Sequence, residues 1–260
     1  MNRATASRLA SGVFVGAVIA FLAMPILITV LFSFNASPRL SFPIHGLTLD
    51  WYDKALTNPL FRDALRNSLI AAVTTAIVAA LIGVPAAFGL RRVSPRLRPL
   101  MAGSLLLPAI VPALLLGIAL TVFLNDIGVH LTLRTAIVGH LLIAMPFVVL
   151  TMVARLDNFD FSLAEAARSL GAGPARAFWD VVLPLILPSI VGAMLLSMAL
   201  SLDEFVVTFF TRGTDDTLPV LIWGLLRRGI DPTINALATI ILVGNITLAL
   251  IANRLTKVRL

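Results

Sequence analysis

Two adjacent carboxylates, Asp203 and Glu204, stand at the far end of an apolar run that begins near Pro184. Glu204 falls on a stripe with Ser189, Ala193, Ser197, Ser201 and Thr208, spaced by three and four residues, so one face of a helix there is small and polar while the rest is aliphatic. Carboxylates in or beside a membrane span are costly, and a neighbouring pair attracts a multiply charged cation, which makes Asp203, Glu204, Ser201 and Ser197 the candidate substrate path. At about 1.5 Å per residue Asp203 lies nearly 30 Å along the run, toward the outer side rather than at the midplane. A second role fits the same residues equally: the carboxylates cap or pair at a helix end, with Arg212 or Arg66, while the small face packs another helix. Either way the chemistry is binding, and no catalytic residue emerges. There is no Gly-x-Ser-x-Gly and no His-Glu-x-x-His, and the two lysines, Lys54 and Lys257, follow Asp and Thr instead of the glycine of a phosphate-binding loop. His45, His130 and His140 have no metal-ligand spacing, so no metal site is expected. His140 and Asn245 lie inside apolar runs and read as hydrogen-bond partners between helices.

These residues are carried by apolar runs near 11–34, 67–89, 99–124, 135–154, 185–210 and 234–253, each long enough to cross about 30 Å of hydrocarbon as a helix. Six spans and one all-α membrane domain over 1–260 follow. The 260 residues are 59% apolar and 13% charged, with mean hydropathy +1.00, which excludes an ordinary water-soluble enzyme. Ser11 to Phe34 is too long for a cleaved leader and reads as a retained span. Pro25, Pro85, Pro108, Pro112 and Pro146 fall inside the runs, where kinks rather than breaks are expected; Pro108 and Pro112 fit a gate hinge and a simple packing feature equally.

The net charge of +7 would mean nucleic acid in a soluble protein, but here the basic residues sit in short links between apolar runs. With the amino terminus placed in the cytoplasm, the links on that side carry 12 Lys and Arg, and the opposite links carry 8. Both termini are therefore expected to be cytoplasmic, with no nucleic-acid partner. The outer links hold Trp51, Tyr52 and Trp223 and an amphipathic stretch from Leu218 to Arg228, suited to anchoring at headgroup depth or to substrate contact. With no cysteine, thiol chemistry is absent.

The link over 155–184 carries the densest local pattern. Ser162 with Glu165 three residues later predicts a capping box and a helix starting at Leu163. Leu163, Ala166, Ala167 and Leu170 share a face, Gly171 supplies a left-handed stop, and Pro174 suits the first turn of a second helix that Pro184 should end by turning the chain into the next span. Two short helices lying across the bundle would make a docking knob.

In this stretch the chain resembles the permease subunits of bacterial ATP-binding-cassette importers of the type I fold. Their cytoplasmic loop reads Glu-Ala-Ala, three residues, Gly, nine residues, Ile, any residue, Leu-Pro; here it stands as Glu165-Ala166-Ala167, Gly171, Val181, Leu183 and Pro184, with valine for isoleucine and every spacing kept. Phe34-Asn35, Leu47 to Tyr52, Asn67-Ser68-Leu69, Ser201 to Thr211, Thr217-Leu218-Pro219 and Asn235 to Thr239 look like the spermidine/putrescine-type branch.

The resemblance implies an all-α, six-helix permease in the bacterial inner membrane whose loop residues Glu165, Ala166, Ala167, Gly171, Val181, Leu183 and Pro184 couple it to an ATPase dimer. It further implies a second and different permease, a periplasmic or extracellular solute-binding protein, surrounding lipid, and no cofactor on this chain, ATP and Mg belonging to the partner ATPase. The cargo would be putrescine- or spermidine-like cations. Another small solute in the same importer class is the alternative. An ion-driven secondary transporter would need midplane ionisable groups and an inverted repeat, neither of which is evident.

Overall fold

The computed structural model describes residues 3–38, 41–44, 46–228 and 232–257. The order is α1 (Arg3–Ser33), α2 (Asp50–Thr57), α3 (Pro59–Arg92), α4 (Arg98–Leu105), α5 (Leu107–Ile110), α6 (Ala113–Asp126), α7 (Leu133–Asp157), α8 (Ser162–Ser169), α9 (Pro174–Ala177), a π turn at Phe178–Val182, α10 (Leu183–Asp203), α11 (Val206–Thr211), α12 (Leu218–Arg228) and α13 (Pro232–Lys257). Among the described residues the only extended pairing is an isolated Asn35–Leu47 bridge. Among the described residues, five stretches are long and apolar enough to cross a membrane: Gly12–Ser33, Pro59–Arg92, Leu133–Asp157, Pro174–Asp203 and Pro232–Ile251.

The run expected at 99–124 is not one helix. Val111, just before Pro112, takes the extended conformation (ψ 131°) that a following proline ring favours, and α5 stops there. Pro108 sits within the four-residue α5, so this segment is α4, α5 and then the 14-residue α6. Pro25, Pro85 and Pro146, by contrast, lie inside unbroken helices. Pro108 and Pro112 therefore mark an interruption where kinks were expected.

The chain forms two compact units. In the first, residues up to Phe61 with Ile222–Gly244, the end of α1 is tied to α2. Ser33 Oγ donates to the Val30 carbonyl and accepts from the Tyr52 hydroxyl (both 2.6 Å), and Trp51 Nε1 donates to the Asn35 carbonyl at 2.7 Å. Lys54 lies over the Trp51 ring. Trp51 and Tyr52 thus fasten Ser33 and Asn35, at the end of α1, to α2.

The second unit, Arg62–Leu221 with Asn245 onward, holds the core of α3, α7 and α10. Ala71, Ala72, Ala76, Ala79, Ala80 and Ala87 give α3 a buried seam of small residues. At Gly83 a Cβ would stand 2.9 Å from Val148 Cγ1 of α7, so the helices approach at backbone distance, the usual solution where lipid offers no hydrophobic drive between helices. Val148, Val149, Met152 and Leu156 of α7 then meet Val182, Ile186 and Ala193.

The same device seats α11. Val207 is fully buried, and a Cβ on Gly139 would collide with its Cγ1, while one on Gly117 would lie 3.3 Å from its Cα. Gly139→Ala should lower stability by about 1–3 kcal/mol through overpacking. Thermal unfolding of the purified protein checks this, and Val207→Ala on the same chain should restore most of the loss; a rescue that fails would place the strain elsewhere.

Two short stretches singled out in the sequence meet in this unit. Asn67 Nδ2 donates to the Asp216 carbonyl at 2.9 Å, and Ser68 Oγ accepts from the Leu218 N–H at 2.8 Å, so Asn67-Ser68 positions the start of α12. Asp215 Oδ2 accepts from the Leu133 N–H, and a Thr132/Thr135 capping box opens α7.

Candidate functional site

The first candidate site is the 155–184 loop. Asp157, the last residue of α7, takes a two-oxygen contact from Arg98 Nη2 at 2.7 Å, and Phe159 and Phe161 stack edge to face at 4.7 Å. The expected Ser162 capping box does not form. Asp160 Oδ1 accepts from the Ser162 N–H at 3.0 Å, Phe161 occupies the cap position, and Ser162 becomes the first helical residue. The Asp160 carboxylate thus takes the Ser162 amide that the Glu165 side chain was expected to reach, and the Ser162 side-chain and backbone hydrogen bonds hold the Asp160 carboxyl below its ordinary value.

The stop signal at Gly171 does form. Gly171 has φ +92°, its N–H donates to the Arg168 carbonyl at 3.0 Å, and the Ala172 N–H donates to the Ala167 carbonyl at 3.1 Å, the paired bonds of a Schellman end. Pro174 takes the first position of α9. The chain does not turn at Pro184. Its missing N–H would leave the Asp180 carbonyl without a helical partner; the wider π turn at Phe178–Val182, closed by Leu183 N–H to the Phe178 carbonyl, lets residues 174–203 run on as one helical stretch. The loop is one short helix, a glycine turn, and the extension of a long helix.

Leu163 and Ala166 of α8 and Leu170 just after it face outward, Leu170 being 90% exposed, and Glu165 is exposed beside them. Trp179 is also exposed. Ala167, Val181, Leu183 and Pro184 are half-buried. A small helix that turns its apolar residues away from its own chain has a surface for another protein.

The second candidate site is the break between α10 and α11. Asp203 ends α10, Glu204 is extended (ψ 105°), and the Glu204 Oε1 accepts from the Val207 N–H at 2.9 Å. Glu204 thereby caps α11, where a carboxylate also meets the positive helix end. Asp203 Oδ1 accepts from Asn245 Nδ2 of α13 at 2.8 Å. Neither carboxylate pairs with Arg66 or Arg212 among the described residues, and Arg212 is paired with Asp216 instead.

His140 of α7 bridges the break. Its Nδ1 lies 2.6 Å from Ser201 Oγ, before the break, and its Nε2 lies 2.6 Å from Thr208 Oγ1, after it. Thr208 donates its hydroxyl proton to the Glu204 carbonyl at 2.9 Å, so hydrogen-bond accounting makes Nε2 the donor to Thr208 and Nδ1 the acceptor from Ser201. The polar stripe of α10 is therefore a packing face. Ser197 is fully buried and bonds back to the Ala193 carbonyl, and Ser201 is buried on His140. Of the four residues named for a substrate path, Ser197 and Ser201 face the interior of the chain, whereas Asp203 is exposed and Glu204 partly so. Sequence reasoning gave His140 a helix partner but not the break; the one local signal was the adjacency of Glu204 to Val207 at cap spacing. His45 lies outside the described residues.

Long apolar helices, with an outward-facing helix and a glycine turn in a connecting loop, define a helical membrane protein. Residues 79–258 match the family described as the binding-protein-dependent transport system inner membrane component, and the chain belongs to that family. It is a permease of the ATP-binding-cassette importer class, all-α in fold.

Among its relatives, the spermidine/putrescine transport system permease protein PotC of Escherichia coli is 34% identical over 251 residues, covering 96% of this chain and 95% of that protein. The putrescine transport system permease protein PotI of the same organism is 34% identical over 230 residues, covering 85% and 82%. A chain of a bacterial alginate ABC transporter, solved with an alginate pentasaccharide-bound periplasmic protein, superposes with TM-score 0.72 at 17% identity over 97% of this chain and 96% of that one. A chain of the MetNI methionine ABC transporter in an inward-facing form gives TM-score 0.60 at 18% identity over 78% and 100%.

Proposed function

We propose that this chain is one of two permeases in an ATP-driven importer of putrescine- or spermidine-like cations, and that loop 155–184 transmits ATPase movement to the spans. The observation that supports the coupling role is the outward apolar face of Leu163, Ala166 and Leu170 ending on the left-handed Gly171. In this reading a separate ATPase dimer carries ATP and Mg and receives that face. Its closure shifts α8 and, through the fixed Gly171 turn, the 174–203 helix, which no turn at Pro184 interrupts. The charge count of the links supports a cytoplasmic loop and cytoplasmic termini, with a solute-binding protein delivering cargo on the opposite side.

For the cargo, the reading is supported by the identity with PotC and PotI and by the exposed Asp203 carboxylate beside Glu204. ATP-dependent uptake of labelled putrescine and spermidine into vesicles holding the complex and its binding protein tests it; absence of uptake of both amines would remove the polyamine assignment. Glu204→Gln keeps an oxygen for the Val207 N–H while removing the charge, so uptake should fall about fivefold with the amount of folded chain unchanged. Equal loss of folded chain and of uptake would assign Glu204 to the helix cap alone.

A further inference from the structure

Three exposed arginines line one open pocket at the end of α3. A pocket of about 530 Å³ is lined by Arg91, Arg92 and Arg168 together with Phe88, Phe161 and Phe178. The Arg91 guanidinium carbon lies over the Phe161 ring, 3.5 Å from its centroid, which fixes its direction. No carboxylate lines the pocket, and none of the three arginines has a salt-bridge partner among the described residues. Three cations gathered without a counter-charge are complementary to an anion, and the aromatic walls keep that site from being a wholly hydrated surface.

The pocket has an apolar continuation. A second hollow of about 420 Å³ shares Phe88, Arg92 and Phe178 and extends along α3 over Val84, Pro85 and Gly89. At Gly89 a Cβ would meet nothing within 4 Å, so the groove floor is open there. Charge at the helix end, followed by an apolar trough running back along a membrane-crossing helix, matches a molecule with an anionic head and a hydrocarbon tail. A soluble phosphate would use the arginines and leave the trough empty.

We propose that this composite pocket binds one anionic phospholipid, its phosphate held by Arg91, Arg92 and Arg168 and one acyl chain lying over Gly89. The site goes beyond the importer assignment. It uses the Phe161–Ala164–Arg168 face of α8, whereas Leu163, Ala166 and Leu170 point elsewhere, so lipid and a partner protein occupy different faces of the same helix. If the reading of α8 as the ATPase-facing lever holds, the lipid wedges that lever against the end of α3 and sets how stiffly it follows.

The test uses the full-length chain purified with whatever subunits accompany it and read by native mass spectrometry during titration with phosphatidylglycerol against phosphatidylcholine. The wild-type chain should retain a single phosphatidylglycerol in preference to phosphatidylcholine. Replacing all three residues, Arg91→Gln, Arg92→Gln and Arg168→Gln, should weaken that retention about a hundredfold. Gly89→Leu puts an alkyl side chain into the trough while leaving all three arginines in place, and should weaken it about tenfold. Equal retention of the two lipids by the wild-type chain would overturn the proposal. So would a Gly89→Leu chain that keeps full affinity, or glycerol 1-phosphate displacing the lipid at equal concentration, since either would mark a headgroup-sized anion site with no role for the tail. Because lipid retention is read on the chain itself, its failure is distinct from a failure to copurify an ATPase or to transport an amine.

Discussion

Replacing Gly171 with valine should cut ATP-dependent uptake about thirtyfold while leaving the chain in the membrane at its normal level. The turn after α8 holds Gly171 at φ +92°, where a β-branched residue is a steric outlier and even an ordinary one costs about 1–2 kcal/mol. An added Cβ would meet no atom of the chain within 4 Å, so the cost lies in the backbone rather than in a clash. The Gly171 and Ala172 amides that close the end of α8 would lose the Arg168 and Ala167 carbonyls, and the angle between α8 and the 174–203 helix would no longer be fixed. A 2 kcal/mol preference for another loop shape depopulates the competent one about thirtyfold. Gly171→Asn is the control, since asparagine enters the left-handed region most readily after glycine and should retain most of the uptake. Equal loss in both variants would instead assign the effect to side-chain contact at the partner surface, and full uptake by Gly171→Val would remove the turn from the coupling route.

His140→Ala should destabilise the chain by about 3 kcal/mol, most of it from the cavity left by a buried ring and the remainder from two interhelical hydrogen bonds worth about 0.6 kcal/mol each in a membrane. His140 is 2% exposed and touches both sides of the Glu204 break, so the loss should also loosen the Asp203–Glu204 segment. Unfolding in graded denaturing detergent measures the first effect. Protease or spin-label accessibility at residue 205 measures the second, and a mutant with lowered stability but unchanged mobility there would reduce His140 to a core residue. A mutant of unchanged stability would contradict the bridge altogether.

The local rules of the chain were legible where a residue's own backbone decides the outcome. Gly171 as a left-handed stop and Pro174 as a helix start depend on one ring or one missing Cβ, and both appear at the expected places. The long apolar runs near 11–34, 67–89, 135–154 and 234–253 are helices because their length and hydropathy demand internal backbone pairing in lipid. The loop spacing from Glu165 to Pro184 likewise needed no structure to be recognised. What failed were readings that required knowing which of two partners wins. Ser162 was expected to cap α8, but Asp160, two residues earlier and charged, takes the amide. Pro184 was expected to turn the chain, but a π turn absorbs it, whereas Pro112 does end a helix because Val111 ahead of it goes extended.

The sequence by itself therefore determined a membrane-spanning all-α chain, the class of permease to which it belongs, and the Gly171 turn and Pro174 helix start within loop 155–184. Only the tertiary structure decided that the polar stripe of α10 faces inward, that α10 stops at Asp203, and that Arg91, Arg92 and Arg168 share one cavity. The reason is physical. A period of 3.6 residues says which side chains share a face but not what that face meets, and the break at Glu204 exists because Val207 fits the hollow left by Gly117 and Gly139, residues roughly 70 to 90 positions away in the chain.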